Sequence, residues 1–184
     1  MTPKAQSVTA TGDPDDFQPP RAFRADTFPD GHTRLVVSVP QEELRATHLA
    51  LLASLSGKLG LRYVQLTDRL TGQLPAPIGR VAMDVRPDRL VAALEARPEL
   101  VWADGRHQLW VRGSLGETVI LDEMGLLHCA PDDPSFRDAL DALAIPEGRP
   151  KMMDNRDYVK VTFLAEADAQ EASLWEELKL LKWK

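Results

Sequence analysis

Short apolar runs separated by turn-forming residues occupy positions 99–129 and predict a β-meander with three turns. The strongest signal is Asp104-Gly105, because a type I′ turn needs positive φ at both of its central residues. A two-residue loop there would pair Trp102 with His107. The meander is predicted to lie at the centre of the fold, with the rest of the chain packed around it.

Two further turns are predicted in the meander, and they set which side chains share a face of the sheet. The turn at 113–116 would pair Arg112 with Glu117 and place His107 opposite Asp122, and the turn at 122–125 would pair the leucines on either side of it. The predicted core face carries Leu100, Trp102, His107, Leu109, Val111, Thr118, Ile120, Asp122, Leu127 and Cys129. The opposite, mixed face carries Val101, Arg106, Gln108, Trp110, Arg112, Glu117, Val119, Leu121, Leu126 and His128. A shift of one residue in the pairing would exchange the two faces.

Periodic apolar positions and helix start signals predict the elements outside the meander. Proline suits the first turn of a helix, and Asp133 is a natural N-cap because its side chain can accept a backbone N–H. The predicted strands are 34–39, 61–66, 78–85 and 158–164, and the predicted helices begin at Pro40, Pro87, Pro134 and Glu166. The expected fold class is α+β: a mainly antiparallel sheet with a central β-meander (about 99–129), an N-terminal β-α-β unit and about four helices packed on the sheet.

The first thirty residues differ in composition from the rest of the chain. They are rich in Pro, Asp, Thr and Ala and hold only three scattered phenylalanines, Phe17, Phe23 and Phe28. So little apolar surface does not offset the entropy lost on ordering. We therefore expect a flexible N-terminal arm over 1–30 and a single α+β domain over 31–184. A segment that docks through its phenylalanines is the alternative.

Composition narrows the class of partner and the compartment. A chain of 184 residues that is 43% hydrophobic can bury one good core. A net charge of −6 argues against non-specific binding to nucleic acid or to an anionic membrane. The single cysteine, Cys129, excludes an intramolecular disulfide, and no apolar stretch approaches the ~18 residues of a membrane span. A cytoplasmic location is expected, and the single asparagine and three isoleucines suggest GC-rich coding and a bacterial source.

No motif of known chemistry is present in the sequence. Glycine-rich phosphate loops, cysteine or histidine pairs at zinc-ligand spacing and the serine nucleophile elbow are all missing, so neither a cofactor nor a metal is predicted. The best candidates for acid–base catalysis are His107 and Asp122, since a carboxylate opposite an imidazole could orient the ring. The alternative is a polar pair at the ends of two strands.

The remaining candidate is Trp110, which lies among Arg106, Gln108 and Arg112 on the mixed face. Exposed tryptophan and arginine are enriched at binding hot spots, so these four residues are predicted to bind another protein. A second layer of structure that covers Trp110 is the alternative. The sequence favours a protein–protein interaction module, of which an immunity-type inhibitor of a toxin is the most concrete form. A small enzyme with a scattered site and a regulatory ligand-binding domain are the competing hypotheses.

Overall fold

A computed structural model describes residues 3–68, 76–150, 157–159 and 164–183. Within them, ten strands and five helices follow one another along the chain. The strands are β1 (Gln6–Ser7), β2 (Ala22–Thr27), β3 (Thr33–Ser38), β4 (Leu59–Gln65), β5 (Ile78–Val85), β6 (His107–Arg112), β7 (Thr118–Leu121), β8 (Leu127–Ala130), β9 (Tyr158–Val159) and β10 (Leu181–Lys182). The helices are α1 (Gln41–Ala53), α2 (Pro87–Glu95), α3 (Pro98–Ala103), α4 (Pro134–Ala142) and α5 (Ala165–Glu177).

Eight of these strands form one antiparallel sheet in the order β10-β5-β4-β6-β7-β8-β3-β2, and β1 pairs with β9 separately. The predicted α+β class is confirmed. Strands β3 and β4, joined through α1, run in the same direction because four antiparallel pairings separate them. The predicted β-α-β unit therefore crosses over β6, β7 and β8, which fill the gap between its two strands.

The helices of the described residues all pack against the same face of the sheet. Each contributes buried side chains to one core cluster, such as Leu51 of α1, Leu94 of α2 and Leu174 of α5. The strands meet them with every second residue, for example Leu61 and Val111, which are 1% and 0% exposed. We call the other face of the sheet the open face.

The first predicted hairpin is wrong, because the residues before Asp104 form helix α3 instead of a strand. Pro98 occupies the first turn, where its missing N–H costs nothing, and Trp102 is fully buried on the core side. Gly105 serves close packing: a Cβ there would lie 2.3 Å from the carbonyl oxygen of Lys4. The glycine that resembled a turn signal is needed for backbone approach, and Trp102 does not pair with His107.

The other two turns form hairpins, but each shifts the predicted register by one residue. Strands β6 and β7 pair Arg112 with Thr118, and β7 and β8 pair Leu121 with Leu127. In the first loop the Gly113 N–H donates to the Glu117 carbonyl at 2.8 Å, leaving residues 114–116 as the loop. Glycines at φ +100° and +87° end the loops, at 116 and 125. Such three-residue loops close with a glycine at positive φ, and the sequence prediction took both for two-residue loops.

The two shifts exchange the faces of β7 and cancel at β8. Val119 and Leu121 lie on the core face and are fully buried, whereas Thr118 and Ile120 lie on the open face. Asp122 directly follows β7, on the open side. Cys129 in β8 is on the core face, as predicted. The assignment of the β6 residues from His107 onward to their two faces is likewise correct.

Residues 3–30, for which composition predicts a flexible arm, contribute the strands β1 and β2. The weakly apolar β2 is held at the sheet edge by pairing with β3, and Phe23 also bonds to the backbone of Pro146 and Gly148 on its outer side. Lys4 is fully buried, and its ammonium donates to the carbonyls of Asp104 and Val101 at 2.7 and 3.3 Å. These bonds satisfy carbonyl groups at the end of α3.

The elements around the meander otherwise follow their start signals. The Asp133 carboxylate accepts the Ser135 N–H at 2.9 Å and caps α4, and Pro87 opens α2. Of the strand predicted at 158–164, the structure describes β9 at Tyr158–Val159, and residues 160–163 lie outside the described residues. No helix among the described residues is both long and apolar enough to cross a bilayer.

Candidate functional site

The open face brings together side chains from strands far apart in the sequence. At its centre, Arg62 of β4 is the cross-strand partner of Trp110 of β6, and Val81 of β5 lies on the far side of Arg62. Trp183, directly after β10, donates its backbone N–H to the Gly79 carbonyl at 2.9 Å and so reaches the same region. Neighbouring strands therefore place two tryptophans and one arginine side by side on the face that carries no described helix.

Arg62 lies between the two indoles. Its guanidinium carbon is 4.0 Å from the ring centroid of Trp183 and 5.2 Å from that of Trp110. Both distances are within the range of a cation–π contact. The Trp110 ring is also fixed at its polar end, because its Nε1–H donates to Gln108 Oε1 at 2.9 Å. Gln108 in turn donates to the Glu123 carboxylate at 2.6 Å.

A hollow of about 570 Å³ lies beside this stack. Its apolar walls include Ile120, Met83 and Trp183, and Arg62 and Arg112 are the charged residues that line it. Met83 and Trp183 are 72% and 54% exposed, so the apolar rim is open to solvent. Exposed apolar area that is contiguous and rimmed by polar groups marks interaction sites more often than scattered exposed residues do.

The two arginines of the hollow differ from the other arginines of the open face in their charge partners. Arg24 and Arg34 both pair with Asp26, at 2.9 and 3.5 Å. Neither Arg62 nor Arg112 has a carboxylate within ion-pair distance in the part of the chain that the structure describes. A positively charged spot therefore remains on a chain whose net charge is −6.

Arg106, predicted to belong to this surface, lies on the other side of the sheet. It precedes β6, is 3% exposed, and bonds through Nε to both carboxylate oxygens of Asp104 at 3.1 and 2.9 Å. Its guanidinium also reaches Asp168 of α5 at 3.1 Å. This arginine ties α5 to the end of α3, and the loss of the predicted first hairpin explains its different position. The other three predicted residues, Gln108, Trp110 and Arg112, do share the open face.

The predicted pairing of His107 with Asp122 is wrong, because the register shift sends the two side chains to opposite faces. His107 is fully buried on the core face, stacked on Tyr63 with ring centroids 4.7 Å apart, and its Nδ1 is 3.9 Å from the Asp104 carboxylate. Asp122 instead bonds to Nε2 of His128 at 3.0 Å. The carboxylate also accepts the backbone N–H groups of Met124 and Leu126, so it stabilises the turn as well.

The Asp122–His128 pair resembles an acid–base dyad in its distance, but not in its access. Nε2 of His128 is engaged by the carboxylate. Nδ1 is buried and has no hydrogen-bond partner among the described residues. A general base must come within hydrogen-bond reach of the proton that it removes. The geometry therefore presents neither ring nitrogen to a substrate, and the pair orients the last strand of the meander.

Comparison of the chain with protein-family models, with curated proteins and with solved structures finds no match. The function of the chain must therefore be inferred from the site itself.

Cys129 lies in the core, and burial raises the pKa of its thiol, which keeps the sulfur in the less reactive protonated form. Across the described part of the chain, no group of three or more His, Cys, Asp or Glu side chains is arranged to hold a metal ion.

The sequence prediction did not assign Arg62, Met83, Ile120 and Trp183 to the binding surface, although all four line the hollow. Alternation along β4 gave a signal for Arg62, because Leu61 and Tyr63 point to the core and the residue between them must point away. What the alternation did not show is that β4 lies next to β6. That adjacency joins residues 48 positions apart along the chain, Arg62 and Trp110, and no local pattern specifies it.

Proposed function

We propose that this chain is a protein–protein interaction module that docks its partner on the open face of the sheet. The observation that carries the proposal is the Trp110–Arg62–Trp183 stack beside a solvent-exposed apolar hollow. Tryptophan and arginine are the residue types most enriched where binding energy concentrates. An antiparallel sheet with one solvated face normally carries mostly polar residues there. Met83, Ile120 and two tryptophans depart from that pattern, which supports a role in contact.

The exposed apolar rim favours a protein over a small ligand as the occupant. A volume of about 570 Å³ falls within the range of small-molecule sites, but such sites bury most of their ligand. Here Met83 and Trp183 are more than half exposed, so a small ligand would keep one side in water. A protein surface would cover both the hollow and its rim.

A photo-crosslinking experiment in the cell of origin tests the proposal. A photoreactive amino acid replaces Thr118, which lines the hollow, in the full chain. We expect one discrete crosslinked protein, and we expect Trp110→Ala to abolish the crosslink because it removes the centre of the surface. The matched control places the same photoreactive residue at Glu95, which is exposed at the end of α2 on the helix side.

Crosslinks of equal yield and identity from both positions would contradict the proposal, as would a Thr118 crosslink that Trp110→Ala leaves unchanged. An immunity-type inhibitor of a toxin is a specific form of the same proposal. In that case the protein crosslinked through Thr118 would be a toxin whose activity falls when the complex forms.

A further inference from the structure

We infer that the partner presents a carboxylate-bearing segment, with acidic side chains on Arg62 and Arg112 and an apolar side chain in the hollow between them. This inference rests on the docking surface proposed above and specifies the chemistry of its occupant. It follows from three features of the hollow: unpaired donors on Arg62, a second unpaired cation on the next strand, and an apolar wall between the two.

Arg62 is held in place without using its hydrogen-bond donors. Its guanidinium contacts two indole rings, but no N–H of Arg62 donates to any described residue, and its Nε is buried without a partner. A guanidinium that is fixed by stacking and keeps its N–H donors free is suited to a planar acceptor. A carboxylate is that acceptor, because its two oxygens match two parallel N–H donors of the guanidinium.

Arg112 provides a second cation at the same hollow. It pairs across the sheet with Gly60, while Arg62 pairs with Trp110, so the two arginines occupy diagonal positions on adjacent strands. Diagonal neighbours in an antiparallel pair lie about 7–8 Å apart. Gly60 has no side chain that could shield Arg112 from Arg62. The two side chains extend towards opposite ends of the hollow, Arg62 towards Gly79 and Arg112 towards Gly116, so a partner segment with two carboxylates would be needed to bind both.

The apolar wall determines what accompanies the carboxylates. Met83 and Trp183 on one side and Ile120 on the other leave an apolar space between the two cations. An aliphatic or aromatic side chain next to an acidic one in the partner would fill it. A purely polyanionic ligand would leave this apolar area uncovered.

Single-stranded nucleic acid, which also binds surfaces with tryptophan and arginine, fits the geometry less well. Such binding depends on bases that stack on free aromatic faces. In this structure the Arg62 guanidinium already lies against both indoles, on the faces that a base would otherwise use. A carboxylate needs only the guanidinium N–H groups, which the stacking leaves available.

A selection of random peptides displayed on phage tests the inference on the full chain. The probes are the wild-type protein, the double variant Arg62→Gln/Arg112→Gln, and Trp110→Ala. Arg45→Gln/Arg86→Gln provides the matched control, because it also removes two positive charges but does so away from the hollow, on helix α1 and at the start of α2. Circular dichroism and the unfolding midpoint establish that each variant is folded. A fluorescein-labelled oligothymidylate serves as the nucleic-acid probe.

We expect the enriched peptides to carry Asp or Glu next to Leu, Ile, Phe or Trp. A synthetic copy should bind about 10-fold or more weakly to the Arg62→Gln/Arg112→Gln variant and equally well to the control variant. Peptides that lose binding with Trp110→Ala, yet show no acidic bias or tolerate loss of both arginines, would overturn the inference and leave the docking surface standing. Binding of the oligothymidylate that depends on Arg62 and Arg112 would overturn it in favour of nucleic acid. The crosslinking experiment at Thr118 tests the docking surface independently of this peptide selection.

Discussion

The Trp102 indole donates its Nε1–H to Nδ1 of His48 at 3.2 Å, and both side chains are fully buried. Nδ1 must therefore carry a lone pair, and a proton on it would break this bond. Burial and, to a smaller extent, the nearby positive charge of Lys4 lower the pKa of His48 from 6.5 to about 3. Protonation of His48 would therefore break a buried contact between helix α1, which carries His48, and helix α3, which carries Trp102.

From this pair we predict that acid destabilises the protein below pH 6.5. Between pH 6.5 and about 3 the unfolded state binds a proton at His48 that the native state does not, so stability falls as the pH falls. The contribution of His48 is at most about 1.4 kcal/mol per pH unit. Urea unfolding at pH 7, 6 and 5 measures it. His48→Asn, whose amide oxygen replaces the Nδ1 acceptor, should show a smaller dependence of the unfolding free energy on pH. His32→Asn, at an exposed histidine, is the control and should keep the wild-type dependence. Equal slopes for wild type and His48→Asn would contradict the prediction.

The two tryptophans of the former hairpin prediction should differ in their effect on stability. Trp102→Ala empties a fully buried site and is expected to cost about 3–5 kcal/mol. Trp110→Ala loses a cation–π contact and one side-chain hydrogen bond on a partly exposed face, and is expected to cost about 1–2 kcal/mol. Denaturant unfolding of both variants measures the two losses of stability. A Trp110→Ala cost as large as that of Trp102→Ala would mark Trp110 as structural.

Lys4 is predicted to anchor the N-terminal segment. Lys4→Met removes the donor to the buried carbonyls of Val101 and Asp104 and should destabilise the fold by about 1–3 kcal/mol. It should also expose the residues before β2 to limited proteolysis. Lys58→Met, at an exposed lysine, is the control and should stay within about 0.5 kcal/mol of wild type. Unchanged stability and unchanged proteolysis for Lys4→Met would favour the flexible arm predicted from composition.

Gly125 is predicted to maintain the register between β7 and β8. Its φ is +87°, and an added Cβ would meet only Leu44 at 3.5 Å, an ordinary contact, so the cost of Gly125→Ala comes from the backbone. We expect a loss of about 1–2 kcal/mol. Gly148→Ala, where φ is not in the left-handed region and the nearest atom is also at 3.5 Å, should be close to neutral. Equal effects of the two changes would show that the turn does not require positive φ.

Sequence reasoning succeeded where local signals agreed with one another. The strand predicted at 78–85 matches β5, and the Asp133 cap and Pro134 start of α4 are where the residue types placed them. Each of these depends on chemistry within a few neighbouring residues. The α+β class follows from such elements taken together.

The errors arose where a local signal had two physical causes. Gly105 looks like a turn residue, yet it is present because the Lys4 carbonyl approaches it closely, and that contact joins residues about a hundred positions apart. The glycines at 116 and 125 fit a two-residue or a three-residue loop equally well by type. A difference of one residue moved Asp122 away from His107 and next to His128. The candidate catalytic pair therefore failed, while Gln108, Trp110 and Arg112 kept their common face.

The hydrogen bond and the cation–π contact of Trp110 reduce the conformational entropy that this surface would lose on binding. Because Gln108 already accepts from the indole and Arg62 already lies against both rings, the surface has little rotamer freedom left to lose on complex formation. A partner would meet a rigid, preorganised template on a stiff sheet, and differences in affinity among partner variants should appear mainly in how slowly the complex dissociates.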